Sequence, residues 1–159
     1  MKKLNVKSVI VGSIVSVGGS LVFGAIIGFV TVIGYISSYV SSHIINNDTV
    51  DNDAMKNFEE DVLKHFEENF LEYFYSNMLI MMSCLIIGLI FVSIGGYVAG
   101  KIAQQNEIYN ALGVGILGML LGILLSSGLP LWYNAAGFIL TLPFAYFGGS
   151  LSFRANSKK

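Results

Sequence analysis

Ser126-Ser127-Gly128-Leu129-Pro130-Leu131-Trp132-Tyr133-Asn134 interrupts a run of 46 residues, 108–153, that contains no Asp, Glu, Lys or Arg. Fully helical, that run would be about 69 Å long at 1.5 Å per residue. A hydrocarbon core of ~30 Å takes about 20 residues, so one span cannot use it all. Gly128 and Pro130 are helix breakers, and Trp132 and Tyr133 suit a membrane interface. The stretch therefore splits the run into two spans and makes this a four-span membrane protein.

Two further charge-free runs supply the other spans: 40 residues between Lys7 and Asp48, and 28 between Glu72 and Lys101. The first would be about 60 Å long as a helix, one span with a long overhang. A second span there would need a break, and Gly18-Gly19 lacks polar turn chemistry. The second run, about 42 Å, makes one tilted span. The expected spans are 8–34, 77–101, 108–127 and 134–153, in a single integral membrane domain over residues 1–159. The start, Met1-Lys2-Lys3, looks like a signal peptide. The apolar stretch behind it outruns an h-region of roughly 7–15 residues, which predicts a retained signal anchor.

Composition agrees. Hydrophobic residues make up 54% of the chain and charged residues 12%, about half the charged fraction of a soluble domain. The signs are sorted. Lys2, Lys3, Lys7, Lys101, Arg154, Lys158 and Lys159 are seven of the nine basic residues, and nine of the ten acidic residues lie between Asp48 and Glu72. The positive-inside rule then predicts a multi-pass protein of the plasma (inner) membrane, both termini cytoplasmic, with the acidic loop and the Pro130 turn outside. No basic stripe is dense enough for nucleic acid. Cys84, the one cysteine, cannot form an internal disulfide.

In lipid, helices associate where small residues let backbones approach. The first span carries Gly12, Ser16, Ser20, Gly24 and Gly28 at four-residue spacing. The fourth carries Gly137, Thr141, Ala145 and Gly149 in the same register, the second ends in Gly96 and Gly100, and the third holds Gly118, Gly122 and Ser126. These are the candidate helix-packing positions. They serve either a monomeric bundle or a homo-oligomer. Gly95-Gly96 before Lys101 recurs as Gly148-Gly149 before Arg154, an offset of 53 residues. A duplicated hairpin would produce this, but so would any inward-running helix that ends in small residues and a basic anchor.

Gly95-Gly96-Tyr97-Val98-Ala99-Gly100-Lys101-Ile102-Ala103 resembles the G-G-Y-x-A-G-[KR]-x-A helix ending of small, uncharacterised prokaryotic four-span membrane proteins. The C-terminal hairpin, with Pro143 and Gly148-Gly149 before Arg154, is similar to theirs, so the likeness covers about residues 85–155. It implies a four-helix membrane bundle and brings no activity with it. The acidic outer segment departs from that group, whose loops are short.

Residues 52–75 alone have soluble character. Met55, Phe58, Val62, Phe66, Phe70 and Tyr73 fall within an arc of about 120°, which predicts an amphipathic extracytoplasmic helix between spans one and two. Glu59 and Asn69 intrude on that arc. The aromatic face either packs on Ile36, Val40 and Ile44 in a protruding hairpin that turns near 46–48, or lies on the outer leaflet.

Ionisable groups deep in a span mark ion or proton coupling, and these spans contain none. Asp61, His65, Glu68 and Glu72 share a polar helix face, but they lack the inward-facing pairs of helical carboxylate metal sites and read as a solvated acidic face. Ser83 and Cys84 have no His or acid near them in sequence, and no glycine cluster has P-loop spacing. No pattern implies a cofactor, a metal or an enzyme. The expected partners are the lipid bilayer and either a second copy or another membrane protein. The expected role is a structural or interaction subunit, or a self-assembling membrane element. The alternative is an oligomeric passive channel or transporter for an uncharged or lipid-like solute.

Overall fold

The computed structural model describes residues 4–46, 64, 66, 69, 70, 72–125 and 128–157. Of these, 92% are α-helical and none is in a strand. The long helices are α1 (Val6–Asn46), α2 (Met78–Ala103), α3 (Glu107–Leu125) and α4 (Leu131–Asn156). Each contains a stretch long and apolar enough to cross a membrane: Val6–Ser41, Met78–Ala103, Glu107–Leu124 and Leu131–Asn156. Ser126 and Ser127, the proposed turn near 46–48 and residues 52–63 lie partly or wholly outside the described residues. Within 64–75 the described residues are all helical.

Local chemistry sets the helix ends. Asn5 caps α1, its Oδ1 accepting from the Ser8 backbone N–H at 3.3 Å. Asn77 stands before α2 in the same way, accepting from Ile80 N–H at 3.4 Å. α1 continues well past residue 34, because no glycine or proline follows Gly34 within it. α4 begins at Leu131, three residues before the expected start. Pro130 precedes it with φ −56°, an angle that already suits a first turn, so Trp132, Tyr133 and Asn134 belong to the helix. Gly128 turns the chain ahead of them at φ 94°, where a side chain would be strained. Glu107 lies in the first turn of α3, and Lys101 and Arg154 lie in the last turns of α2 and α4. Each sign opposes the helix dipole at its position.

The chain forms two compact units, Met1–Gly24 with Met82–Lys159, and Ala25–Met81. In the first, the start of α1 and nearly all of α2 join α3 and α4. Its core is small: Val9, Ala99 and Val114 form a buried cluster, and Ala111 and Ala145 are fully buried. Large apolar side chains such as Ile14, Ile116, Leu120, Ile139 and Phe147 are exposed instead. That distribution suits a bundle whose outer surface meets lipid, where no hydrophobic force drives large side chains inward.

In the second unit, Tyr35 of α1 is surrounded by aromatic rings. The centroids of Phe66, Phe70 and Tyr73 lie 6.0, 5.9 and 4.9 Å from its own. Phe66 and Phe70 also stack on each other at 4.6 Å.

Candidate functional site

Because no side chain stands at a glycine, the backbone beside it can be approached closely, and the glycines map where the first unit is tight. A Cβ on Gly12 would lie 2.5 Å from the Gly95 carbonyl oxygen and 2.7 Å from Ala99 Cβ. A Cβ on Gly95 would lie 2.7 Å from Ser16 Cβ. α1 and α2 therefore cross backbone to backbone. On the other side of α2, a Cβ on Gly148 would collide with the Ser93 carbonyl, and one on Gly96 would lie 2.8 Å from the Ala145 carbonyl oxygen. Gly100 faces Ser152 at 2.8 Å. α3 meets α4 through Gly149 against Ala111 Cβ at 2.6 Å and Gly115 against Ala145 Cβ at 2.9 Å.

All these contacts are nearer the end that carries Lys101 and Arg154 than the end that carries Pro130. Toward Pro130 the close backbone approaches end: α1 still meets α2 at Gly19, but there through the Phe91 ring, and α3 and α4 separate. A Cβ on Gly137 would find only Leu85 at 3.9 Å, and one on Gly118 only Thr141 Cγ2 at 4.0 Å. At Gly24, Gly28, Gly88 and Gly122 it would meet no described atom within 4 Å. The structure thus brings together Gly12, Ser16, Gly96, Gly100, Ala145 and Gly149 of the sequence-derived packing positions. It leaves Gly24, Gly28 and Gly122 open. Ser20 turns its hydroxyl back onto the Ser16 carbonyl at 2.8 Å.

A polar cluster closes the basic end. Asn110 is fully buried. Its Oδ1 accepts from the Asn5 backbone N–H at 2.7 Å and from Ser8 Oγ at 3.2 Å, and its Nδ2 donates to the carbonyls of Gln105 at 3.2 Å and Asn106 at 3.0 Å. One amide thus joins the start of α1 to the link between α2 and α3. That link is tight: Gln104 and Asn106 both adopt φ 54°, a left-handed conformation costly for a residue with a side chain. The bonds from Asn110 hold it. Asn156 Nδ2 at the end of α4 donates to Glu107 Oε1 at 3.1 Å, which brings the fourth helix into the same cluster.

Sequence reasoning passed over Asn110, Asn5 and Ser8. The signal was present, since a lone amide just inside an apolar span needs a partner. Gly95, Gly115 and Gly148 were missed as packing positions because they fall outside the four-residue registers.

At the Pro130 end, the separation of α3 and α4 leaves an open cleft of about 200 Å³ between Gly118, Gly122, Gly137 and Thr141. Tyr133 and Asn134 stand at its mouth. Among the described residues, no three His, Cys, Asp or Glu side chains are grouped to hold a metal. Of the acidic set, Asp61, His65 and Glu68 lie outside the described residues. Cys84 is a free thiol within α2. Comparison with known protein families, curated proteins and solved structures returns no match to the chain.

Proposed function

We propose that this chain is a structural or interaction protein of the plasma (inner) membrane, with both termini cytoplasmic and no catalysis of its own, that assembles through its first helix. The observation that carries this reading is one face of α1. Gly12 and Ser16 on that face are occupied by α2, whereas Gly24 and Gly28, in the same four-residue register, meet no described atom. A glycine interior to a helix weakens it by about 1 kcal/mol relative to alanine. Where no described neighbour uses the bare backbone, a helix from another subunit is the fitting user.

The sorted Lys and Arg residues support the orientation. The rings of Phe66, Phe70 and Tyr73 against Tyr35 support an amphipathic outer helix packed along the tail of α1. The second reading, an oligomeric passive channel or transporter for an uncharged or lipid-like solute, is favoured by the cleft between α3 and α4.

Native mass spectrometry of the protein extracted from its own membrane tests the first reading. The expected result is a defined homo-oligomer or a complex with another membrane protein, reduced to the monomer by Gly24→Leu with helix content unchanged. A wild-type protein that flies alone as a monomer would remove this function. Strong, specific solute flux into liposomes containing only this chain would favour the second reading.

A further inference from the structure

We propose that the cleft between α3 and α4 is a binding site for a lipid acyl chain from the leaflet on the Pro130 side. The two helices form a wedge. Their separation, followed from the basic end, passes from 2.6 Å at Gly149–Ala111 and 2.9 Å at Gly115–Ala145 to 4.0 Å at Gly118–Thr141, each measured to the missing glycine Cβ. At Gly122 no described atom is within 4 Å. The cleft therefore has a closed floor and an open mouth, and the mouth faces the turn at Pro130.

Its lining is graded. At the floor, Thr141 Oγ1 donates to the Gly137 carbonyl at 2.6 Å, so the hydroxyl is satisfied within its own helix and the methyl faces Gly118. Met119 and Phe138 form apolar walls. At the Pro130 end the lining is Leu129, Tyr133 and Asn134, with the Asn134 Nδ2 donating to the Leu129 carbonyl at 3.4 Å; Tyr133 and its neighbour Trp132 are residue types that occupy the boundary between hydrocarbon and headgroups. An occupant with an apolar chain and a polar head fits this order in one direction only.

The dimensions suit part of an acyl chain. From Asn134 to Thr141 the cleft runs about 11 Å along α4 at 1.5 Å per residue, within the ~15 Å depth of one leaflet. The cleft offers about 200 Å³. An apolar cavity of about 150 Å³ accepts benzene, so this one takes on the order of eight carbons. That is the upper part of an acyl chain.

The glycines supply an independent reason. Gly122 is not needed for any contact with a described residue, and Gly118 only grazes Thr141. Either could carry a side chain as far as the described residues are concerned, and a side chain at either would fill the cleft. The emptiness suits a ligand, and in a bilayer the ligand at hand is lipid. This site does not depend on self-assembly through α1, since it is formed by α3 and α4 of one chain.

The test uses the full chain in liposomes of phosphatidylcholine that carries a diazirine in the upper half of one acyl chain. After illumination, adducts are mapped by mass spectrometry. Adducts are expected to concentrate on Met119 and Phe138 over the exposed control residues Ile139 and Phe147. Gly122→Leu should lower the cleft adducts about tenfold, as 1.4 kcal/mol of lost affinity would, with the control adducts unchanged. Equal labelling of cleft and control residues in the wild type would overturn the site, and this outcome needs no variant to fold. A monomer that still labels in the cleft would support the site even where self-assembly fails.

Discussion

The Asn5 backbone N–H donates to Asn110 Oδ1 at 2.7 Å, across 105 positions of sequence. This bond secures the start of α1 to the first turns of α3, and the same amide holds the link at Gln105 and Asn106. A buried donor or acceptor left without a partner costs about 1–3 kcal/mol. Asn110→Leu strips the amide from the Asn5 N–H and from the Gln105 carbonyl, while Ser8 Oγ keeps the Asn5 carbonyl and the Asn106 carbonyl keeps the backbone N–H of residue 110. The substitution is expected to destabilise the protein by about 2–3 kcal/mol, read by unfolding in mixed micelles, and to speed hydrogen exchange at residues 5–8. Asn156→Ala, which breaks the bond to Glu107 at the edge of the same cluster, should cost only about 1 kcal/mol. Equal losses for the two variants would mean that Asn110 does not organise this end.

The glycines of the first unit should separate by position. Gly148→Ala drives a methyl into the Ser93 carbonyl, backbone that cannot give way, so α2 and α4 must part. Gly12→Ala does the same to α1 and α2 at Gly95. Both are expected to lower the unfolding temperature sharply or to prevent recovery of a monodisperse protein. Gly88→Ala and Gly122→Ala meet no described atom. They should be neutral, or stabilising by up to about 1 kcal/mol through helix propensity. Thermal melts of the four variants followed by circular dichroism decide it. A uniform response would mean that the wedge does not describe the folded state.

The four helices long and apolar enough to cross a membrane were legible because they rest on a strong signal, three long charge-free runs of which the last is broken at Gly128 and Pro130. The small-residue registers were legible as faces, but which part of each face is occupied was not. Gly12 and Gly24 look alike in sequence, and only the divergence of the helices separates them. Gly95 and Gly148 each approach a facing backbone carbonyl closely yet stand one residue off the registers at Gly96 and Gly149. A paired glycine lets a helix use two adjacent faces, and a period-four pattern records only one of them. Asn110 signals that it needs a partner, but not which one: Asn5, Gln105 and Asn106 lie outside the helices, where polar residues are ordinary. Nothing in the order of residues ties position 5 to position 110.

Tyr35 of α1 sits against the segment that leads into α2. Tyr35 touches the rings of Phe66, Phe70 and Tyr73, and the edge-on geometry with Phe70, at 81° between planes, is one that aromatic pairs favour. If these contacts hold the amphipathic segment against α1, Tyr35→Ala should release it. Hydrogen exchange over residues 69–76 is expected to rise, with residues 82–103 unchanged. A double-mutant cycle of Tyr35→Ala and Phe70→Ala should give a coupling of about 0.5–1.5 kcal/mol. A segment that instead lay on the leaflet would show coupling near zero, and its exchange would depend on whether lipid is present and not on Tyr35. Running the exchange experiment in detergent and in liposomes therefore separates a ring contact within the chain from adsorption to the membrane surface.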